Sequence, residues 1–234
     1  LGLAGNLLVR PMAQPLALIF DLDGTLVDTA PDLLASLNAV LQRHGHRQVE
    51  PAELRQLVGH GVRSLFERAF AENRADVPPG FLETYAADFL RHYRDNIAVG
   101  SREFPGVSET LAHFADLGAA LGVCTNKPHD LTELLLDELD LARHFGSVVG
   151  AGATPFTKPD ARHVEAVIEG LQANGKRAVM IGDSPVDVAA ARAAKIPVIA
   201  MSYGYTPIPA RELGADAVAD NFADLPALIA RLAG

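Results

Sequence analysis

The segment LALIFDLDGT, residues 16–25, is the part of this chain that most clearly indicates its fold. Residues 16–20 form a continuous apolar run without a helical period, which predicts a strand buried on both faces of a parallel sheet. Asp21 and Asp23 follow the run directly, and Gly24 lets the backbone turn. Because open α/β sheets bind ligands at the carboxyl ends of their strands, the two acids are candidates for a site. The alternative is a pair of solvated acids in an Asp-Gly turn.

The rest of the chain divides into a helical segment and a segment in which helices and strands alternate. Helical spacing of apolar residues follows Pro31 and recurs over residues 51–58, 62–72 and 81–94. No strand-like run lies between about residues 30 and 95. Later strands, with helices between them, are predicted over residues 119–124, 147–149, 178–181, 197–200 and 215–218. We therefore expect an α/β fold with a Rossmann-like parallel sheet, helices on both faces and one all-helical insertion.

This order predicts two domains. An α/β core is expected to comprise residues 12–29 and 97–234, and a helical cap domain is expected to comprise residues 30–96. Residues 1–11 precede Met12 and lack the long apolar core of a secretory signal. We interpret them as an extended start or a non-native remnant.

Composition disfavours several classes of partner. The chain of 234 residues has 20 Lys and Arg against 29 Asp and Glu, a net charge of −9, which disfavours non-specific binding to nucleic acid or anionic membranes. No apolar run approaches the roughly 20 residues of a membrane span. Cys124 is the only cysteine, which excludes an intramolecular disulfide and is typical of a reducing compartment. We expect a cytoplasmic protein, monomeric or homodimeric, with Cys124 packed in the core.

A second acidic cluster follows the strand predicted at residues 178–181. Asp183 comes directly after Gly182 at the strand end, which repeats the order of an apolar strand and an acid seen at Asp21. Asp187 either belongs to a site or closes a capping box with Ser184, and the two roles are compatible. Both acids are therefore candidate site residues.

Two further segments offer groups that suit a phosphate. Thr125 follows the strand predicted at residues 119–124 and is predicted to open a helix, so its hydroxyl faces a positive helix end; an ordinary cap by Thr125 or Asn126 is the alternative. Pro159 is predicted as the first residue of a helix over residues 159–173, which places Lys158 where the macrodipole disfavours a cation. Such a conflict often marks a functional position, although a lysine extended into solvent also fits.

The acids together indicate a metal ion. Carboxylates of Asp21, Asp23 and Asp183 brought together against one lysine would raise one another's pKa values or require a cation. Oxygen ligands favour Mg²⁺, which usually takes one or two carboxylates, waters and a substrate phosphate. Hydrolysis of a phosphate monoester demands an acceleration of up to about 10²¹, whereas a general acid supplies about 10² to 10⁴. A nucleophile, an acid, a metal and a cation would therefore have to act together.

These motifs resemble those of the haloacid dehalogenase superfamily of phosphatases. The first motif matches residues 21–25, the second Thr125, the third Lys158, and the fourth Gly182-Asp183 with Asp187. The match extends over residues 16–200, and residues 30–95 resemble the helical cap of that family. Residues 20–33, 125–128 and 203–205 are most similar to bacterial phosphoglycolate phosphatases. Asp160, where a second proline is common, and Lys195, where a glycine is common, depart from the pattern.

The resemblance implies a role for each matched residue. Asp21 would attack phosphorus to form an aspartyl-phosphate, and Asp23 would protonate the leaving oxygen and then activate water. Mg²⁺ would be held by the carboxylates of Asp21 and Asp183 and the backbone carbonyl of Asp23. Thr125, with Asn126 beside it, and Lys158 would bind the phosphate, while Asp187 would support Lys158 or the water shell of the metal. An acid at Asp23 argues against the dehalogenases and the phosphonate-cleaving branch, which lack it.

The resemblance also implies a substrate class. The run from Gly59 to Arg63 looks like a specificity loop of the cap, in which Arg63 would meet a substrate carboxylate; a solvated helix face is the alternative. The implied function is a Mg²⁺-dependent phosphomonoesterase acting on a small metabolite, with 2-phosphoglycolate favoured. Alternatives are a sugar-phosphate or amino-sugar-phosphate phosphatase, a pyrophosphatase, a β-phosphoglucomutase-like phosphomutase, or a phosphate-binding module without turnover.

Overall fold

A computed structural model describes residues 16–54, 61–72, 80–173 and 177–233. Residues 1–11, Gly59 and His60 lie outside this described part. The strands are β1 (Ala17–Phe20), β2 (Val27–Asp28), β3 (Arg102–Glu103), β4 (Ala120–Pro128), β5 (Ser147–Ala151), β6 (Ala178–Gly182), β7 (Val198–Met201) and β8 (Ala217–Ala219). The α-helices are α1 (Ala30–Arg43), α2 (Pro51–Leu54), α3 (Gly61–Glu72), α4 (Phe81–Asp95), α5 (Val107–Asp116), α6 (His129–Glu138), α7 (Ala161–Gly170), α8 (Pro185–Ala193) and α9 (Leu225–Ala233).

The main sheet has six strands in the order β5-β4-β1-β6-β7-β8. Every neighbouring pair is parallel. β1 lies inside the sheet between β4 and β6, which explains why its four residues are all buried. The predicted α/β fold with a parallel Rossmann-like sheet is confirmed.

The alternation of side chains along β1 divides the core into two layers. Leu18 and Phe20 pack in a cluster that contains Leu111 of α5 and Leu225 of α9. Ala17 and Ile19 point to the opposite face and pack in a second cluster with residues of α7 and α8. A strand that supplies apolar side chains to both layers must be apolar throughout, as the sequence of β1 is.

The regular secondary structure described between β2 and β3 consists of helices, α1 to α4. The helices pack through buried aromatic rings: Phe66 meets Phe89 edge-on, and Phe89 stacks on Tyr93. Within the described part of the chain, no helix is both long enough and apolar enough to cross a membrane.

The two ends of this helical segment are tied side by side. β2 and β3 pair in antiparallel orientation, with Val27 opposite Glu103. The buried carboxylate of Asp32, near the start of α1, accepts hydrogen bonds from the backbone N–H of Gly100 at 2.8 Å and of Ser101 at 2.7 Å. The chain therefore leaves the sheet and returns to it at one place, beside the end of β1.

Two predicted boundaries were wrong in ways that affect the site. β4 continues to Pro128, because its pairing with β5 resumes after an irregularity, so Thr125 lies within a strand and the next helix begins only at His129. α7 begins at Ala161 and not at Pro159, because the Asp160 side chain accepts the N–H of Arg162 and caps the helix there. Lys158 therefore precedes the helix cap and does not sit at the helix amino end.

Candidate active site

Asp21 lies at the carboxyl end of β1, where the sheet opens toward the helical segment. Its backbone N–H donates to the carbonyl oxygen of Ile181 at 2.9 Å, which extends the β1–β6 ladder by one residue. Gly24 adopts a φ of 84°, a left-handed conformation that a residue without a side chain reaches at low cost, and turns the chain immediately after Asp23. The two acids therefore stay at this edge of the sheet.

Lys158 is buried between two carboxylates. Its Nζ lies 2.8 Å from Oδ1 of Asp21 and 2.7 Å from Oδ1 of Asp187. Burial alone would lower the pKa of Lys158, but the charges of Asp187 and Asp21 outweigh it and raise the pKa above its ordinary value. The lysine is therefore a fixed cation in the site and does not extend into solvent.

Asp183 and Asp187 occupy the turn between β6 and α8. Asp183 accepts hydrogen bonds from the Thr25 hydroxyl at 3.0 Å and from the backbone N–H of Tyr205 at 2.8 Å. Asp187 forms the expected capping box with Ser184, and its second carboxylate oxygen contacts Lys158. The two roles considered for Asp187 thus coexist.

The acidic cluster fits a divalent cation. Asp21, Asp183 and Asp187 each offer a carboxylate oxygen, and these oxygens lie within 4.8 Å of one another. Burial raises the pKa of Asp21 to about 7 despite the opposing effect of Lys158. Burial, followed by the charges of Asp187 and Asp21, raises the pKa of Asp183 well above its ordinary value. Three buried carboxylates around one ammonium leave excess negative charge, which a metal ion would balance.

The carboxylate of Asp23 faces a lysine that the sequence interpretation missed. Lys127 Nζ lies 3.1 Å from Oδ1 of Asp23 and donates a hydrogen bond of 2.6 Å to the hydroxyl of Tyr93. The Asp23 side chain therefore does not belong to the cluster of Asp21, Asp183 and Asp187. Alternation along an extended β4 places Thr125 and Lys127 on the same side of the strand, a signal that the predicted strand end at residue 124 concealed.

Thr125 and Asn126 hold neighbouring parts of the site. The Thr125 hydroxyl is buried and accepts the N–H of Lys127 at 3.2 Å. The Asn126 side chain bonds the backbone of Lys158 at both ends, accepting its N–H at 2.8 Å and donating to its carbonyl oxygen at 3.0 Å. Asn126 therefore joins β4 to the segment that carries Lys158. Cys124 is buried in the core, and burial raises the pKa of its thiol to about 12, so it is not a nucleophile.

A cavity that is partly open to solvent connects the strand ends to the helices above them. Its floor includes Asp21, Asp23, Thr125 and Lys158. Its walls are mostly apolar and come from α1, α3, α4 and α6: Leu33, Val62, Leu65, Phe89, Leu90 and Leu131. Arg63 belongs to α3, but its side chain lies outside the described part of the structure. The helical segment thus roofs the site.

The loop after β7 closes the other side of the acidic cluster. The Tyr205 hydroxyl accepts the backbone N–H of Thr29 at 2.6 Å and donates to Asp28 at 2.7 Å, which ties this loop to the start of α1. Gly204 must lack a side chain, because a Cβ there would lie 2.1 Å from Cβ of Asp183. Tyr205 also positions Asp183 through its backbone N–H.

The family profile described as "Haloacid dehalogenase-like hydrolase" matches residues 18–201, the part of the chain that contains all four motifs. The chain belongs to the haloacid dehalogenase-like hydrolase family. This confirms the predicted family. The enzyme class expected from it, a phosphoric monoester hydrolase, is likewise confirmed by its relatives.

The relatives in this hydrolase family cover nearly the whole chain. A phosphoglycolate phosphatase of Agrobacterium fabrum is 43% identical over 224 residues, covering 95% of this chain and 95% of that protein. A phosphoglycolate phosphatase of Caulobacter vibrioides is 44% identical over 207 residues, covering 88% of this chain and 87% of that protein. A crystal structure of a predicted phosphoglycolate phosphatase from Haemophilus somnus superposes with a TM-score of 0.86 at 29% identity, covering 93% of this chain and 99% of that one.

Proposed function

We propose that this hydrolase is a Mg²⁺-dependent phosphomonoesterase that converts 2-phosphoglycolate to glycolate and phosphate through an aspartyl-phosphate on Asp21. The observation that carries the proposal is the buried Asp21 carboxylate at the end of β1, paired with Lys158 beside Asp183 and Asp187. The names of the relatives support 2-phosphoglycolate as the substrate.

Asp21 is the proposed nucleophile because its carboxylate is already oriented. Lys158 Nζ and the backbone N–H of Leu22 both lie near Oδ1, at 2.8 and 2.7 Å. Because these contacts hold Oδ1, Oδ2 is the proposed attacking oxygen. A bond then forms between Oδ2 and phosphorus while the bond from phosphorus to the glycolate oxygen breaks.

Asp23 is the proposed acid and base. It stands two residues beyond the nucleophile and lines the same cavity, so it is proposed to contact the leaving oxygen of a phosphate bound to Asp21. It gives a proton to the leaving glycolate oxygen, and it then takes a proton from the water that hydrolyses the aspartyl-phosphate. Phosphate is released and both carboxylates return to their starting states.

The remaining groups bind the phosphate and the metal ion or position the residues that do so. The Thr125 hydroxyl and Lys158 contact phosphoryl oxygens, while Asn126 holds the backbone of Lys158 and thereby acts as a positioning residue. Asp21 and Asp183 would hold Mg²⁺, with Asp187 beside them. When bound, the metal neutralises phosphoryl charge and lowers repulsion of the incoming carboxylate.

Phosphate release from a panel of substrates tests this function. The panel contains 2-phosphoglycolate, sugar phosphates, an amino-sugar phosphate and pyrophosphate, each with Mg²⁺ or with excess EDTA. We expect the highest kcat/KM for 2-phosphoglycolate and loss of turnover in EDTA. Preference for another ester would refute the substrate, undiminished turnover in EDTA would refute the metal role, and isomer formation without phosphate release would indicate a mutase.

A further inference from the structure

Lys127 is a buried cation at the wall of the cavity that the proposed chemistry does not use. Its side chain is only 3% exposed, and it lines the cavity together with Asp23 and Tyr93. Its Nζ contacts Asp23 and the Tyr93 hydroxyl, and it also lies 4.3 Å from the centroid of the Tyr93 ring. The ammonium is thus held by one group from the sheet and one group from α4.

One contact of the ammonium is long enough for a ligand to replace. A lysine has three N–H donors, and among the described residues its acceptors are the Tyr93 hydroxyl at 2.6 Å and the two carboxylate oxygens of Asp23 at 3.1 and 3.4 Å. The 3.4 Å contact is longer than a usual N–H···O hydrogen bond, so a ligand oxygen that takes its place would form a better one. The apolar side chains of Phe89, Leu90 and Leu131 line the same cavity and strengthen a charge pair formed within it.

The spacing of Lys127 and Asp23 allows them to contact two neighbouring oxygens of one ligand. Lys127 Nζ and Asp23 Oδ1 are 3.1 Å apart. If Asp23 contacts the ester oxygen and Lys127 contacts a second oxygen, each over about 2.8 Å, those two ligand oxygens can be near neighbours. In an O–CH₂–COO⁻ unit, bonds of about 1.2 to 1.5 Å separate the ester oxygen from a carboxylate oxygen by roughly 3 Å. The spacing therefore suits an acid group one carbon away from the ester.

Lys158 does not provide this function, because it lies against Asp21, where the phosphoryl group is proposed to bind. Lys127 and Lys158 are the two cations among the described residues of the cavity lining. We propose that Lys127, oriented by Tyr93, is the specificity-determining residue that binds the carboxylate of the substrate. This inference rests on the proposed function and names the part of the site that recognises the acid.

Paired substrates separate recognition from a structural role. The kcat/KM is measured for 2-phosphoglycolate and for its neutral isostere, 2-phosphoglycolamide, in the parent enzyme and in Lys127→Met. Because a charged hydrogen bond is worth about a tenfold factor or more, the parent enzyme should prefer the acid by at least about tenfold. In Lys127→Met the kcat/KM values for the acid and the amide should lie within about twofold of each other. Lys127→Arg should restore part of the preference for the acid. Lys195→Met, which changes an exposed lysine, is the matched control and should keep the parent ratio.

Other outcomes overturn the inference in distinguishable ways. If Lys127→Met lowers both rates by the same factor, the lysine acts only through Asp23, and the inference fails while the proposed function stands. If the parent enzyme hydrolyses neither ester, the proposed function itself fails. Tyr93→Phe provides a second test should Lys127→Met not fold: it removes only the hydroxyl and should reduce the preference for the acid. An unchanged preference in Tyr93→Phe would contradict the role given to Tyr93.

Discussion

At the scale of single residues, Asp187 divides its carboxylate between two neighbours. Oδ2 accepts hydrogen bonds from the backbone N–H groups of Asp183 and Ser184, at 3.2 and 3.0 Å, and thereby shapes the β6–α8 turn. Oδ1 accepts from Lys158 at 2.7 Å. Gly182 permits this arrangement, because a Cβ there would lie 2.4 Å from Cβ of Asp187. The turn that carries Asp183 and the ammonium that faces Asp21 are therefore coupled through one side chain.

Gly24 makes the close approach of the first motif to Asp183 possible. A Cβ at this position would lie 2.6 Å from Oδ2 of Asp183. We predict that Gly24→Ala lowers kcat at least about tenfold, because Asp183 must shift from its place beside Asp21. It should also cost roughly 1 kcal/mol of stability, because φ is 84°. Phosphate release and urea unfolding measure the two effects.

Gly118 offers a matched control for this prediction. Its φ of 76° is similarly left-handed, but a Cβ there would meet nothing within 4 Å. Gly118→Ala should therefore lose a similar amount of stability and keep its activity. Equal losses of activity in the two variants would contradict the explanation, because backbone strain alone would then account for both.

At the scale of elements, Asp32 links the start of α1 to β3. Its carboxylate accepts hydrogen bonds from the N–H of Gly100 and from the N–H and hydroxyl of Ser101, over 2.7 to 2.8 Å. Asp32→Ala would leave these buried donors unpaired, so we predict a loss of about 2–4 kcal/mol in the free energy of unfolding. Denaturant titration measures the loss, with Asp137→Ala on the exposed face of α6 as the control. A loss below that of the control variant would show that the Asp32 contacts do not hold the two ends together.

The edge of the sheet provides a pH-dependent contribution to stability. Burial alone would raise the pKa of Asp216, but hydrogen bonds from Arg192 and from the N–H of Val198 outweigh it and lower the pKa below its ordinary value. A carboxylate with a lowered pKa in the folded state stabilises the fold above the unfolded pKa of about 3.9, and this stabilisation disappears as the pH falls through the folded pKa.

Asp216→Asn should therefore lower the free energy of unfolding by about 1 kcal/mol at pH 7. The loss is no larger because Arg192 is half-exposed and solvent screens its charge. The difference in the free energy of unfolding between the parent protein and the variant should shrink as the pH falls below about 4. Urea unfolding at pH 7 and at successively lower pH values measures it. A difference that stays constant with pH would contradict the assignment.

Strands of the main sheet that consist of apolar runs could be predicted from the sequence. Strands that form only because they pair with a distant segment could not. β1 and β6 were placed nearly to the residue because buried parallel strands are continuously apolar. β2 and β3 have two residues each and no apolar run, so only their pairing identifies them. The polar end of β4 is a strand because β5 lies beside it, and α7 starts late because Asp160 caps it.

At the scale of the whole molecule, the acidic cluster predicts that metal binding and folding are linked. A ligand that binds only the folded state at about 100 times its Kd stabilises it by about 2.7 kcal/mol, roughly 5–10 °C in Tm for a chain of this size. We therefore expect Mg²⁺ to raise the Tm relative to EDTA. Asp183→Asn should lose this shift and Asp137→Asn should keep it. The same shift in both variants would place the metal elsewhere.

The candidate site could be predicted where one strand end supplies its own residues. Asp21 and Asp183 follow buried strands directly, and Asp187 lies in the first turn of the next helix, so local sequence indicates all three. Lys127 and Tyr93 meet Asp23 only because β4 is longer than its apolar part and because α4 folds over the sheet. The roof of the cavity likewise forms by tertiary packing of several helices, which cannot be predicted from the sequence pattern of one segment.

Trapping the covalent intermediate tests whether Asp21 carries the phosphoryl group. The enzyme is mixed with 2-phosphoglycolate radiolabelled on phosphorus and Mg²⁺, quenched in acid during turnover, digested and analysed by mass spectrometry. We expect label on the peptide that contains Asp21, released by hydroxylamine and absent in Asp21→Asn, which should also lack turnover. Label on another residue, or turnover by Asp21→Asn at the parent rate, would contradict the assignment of Asp21 as the nucleophile.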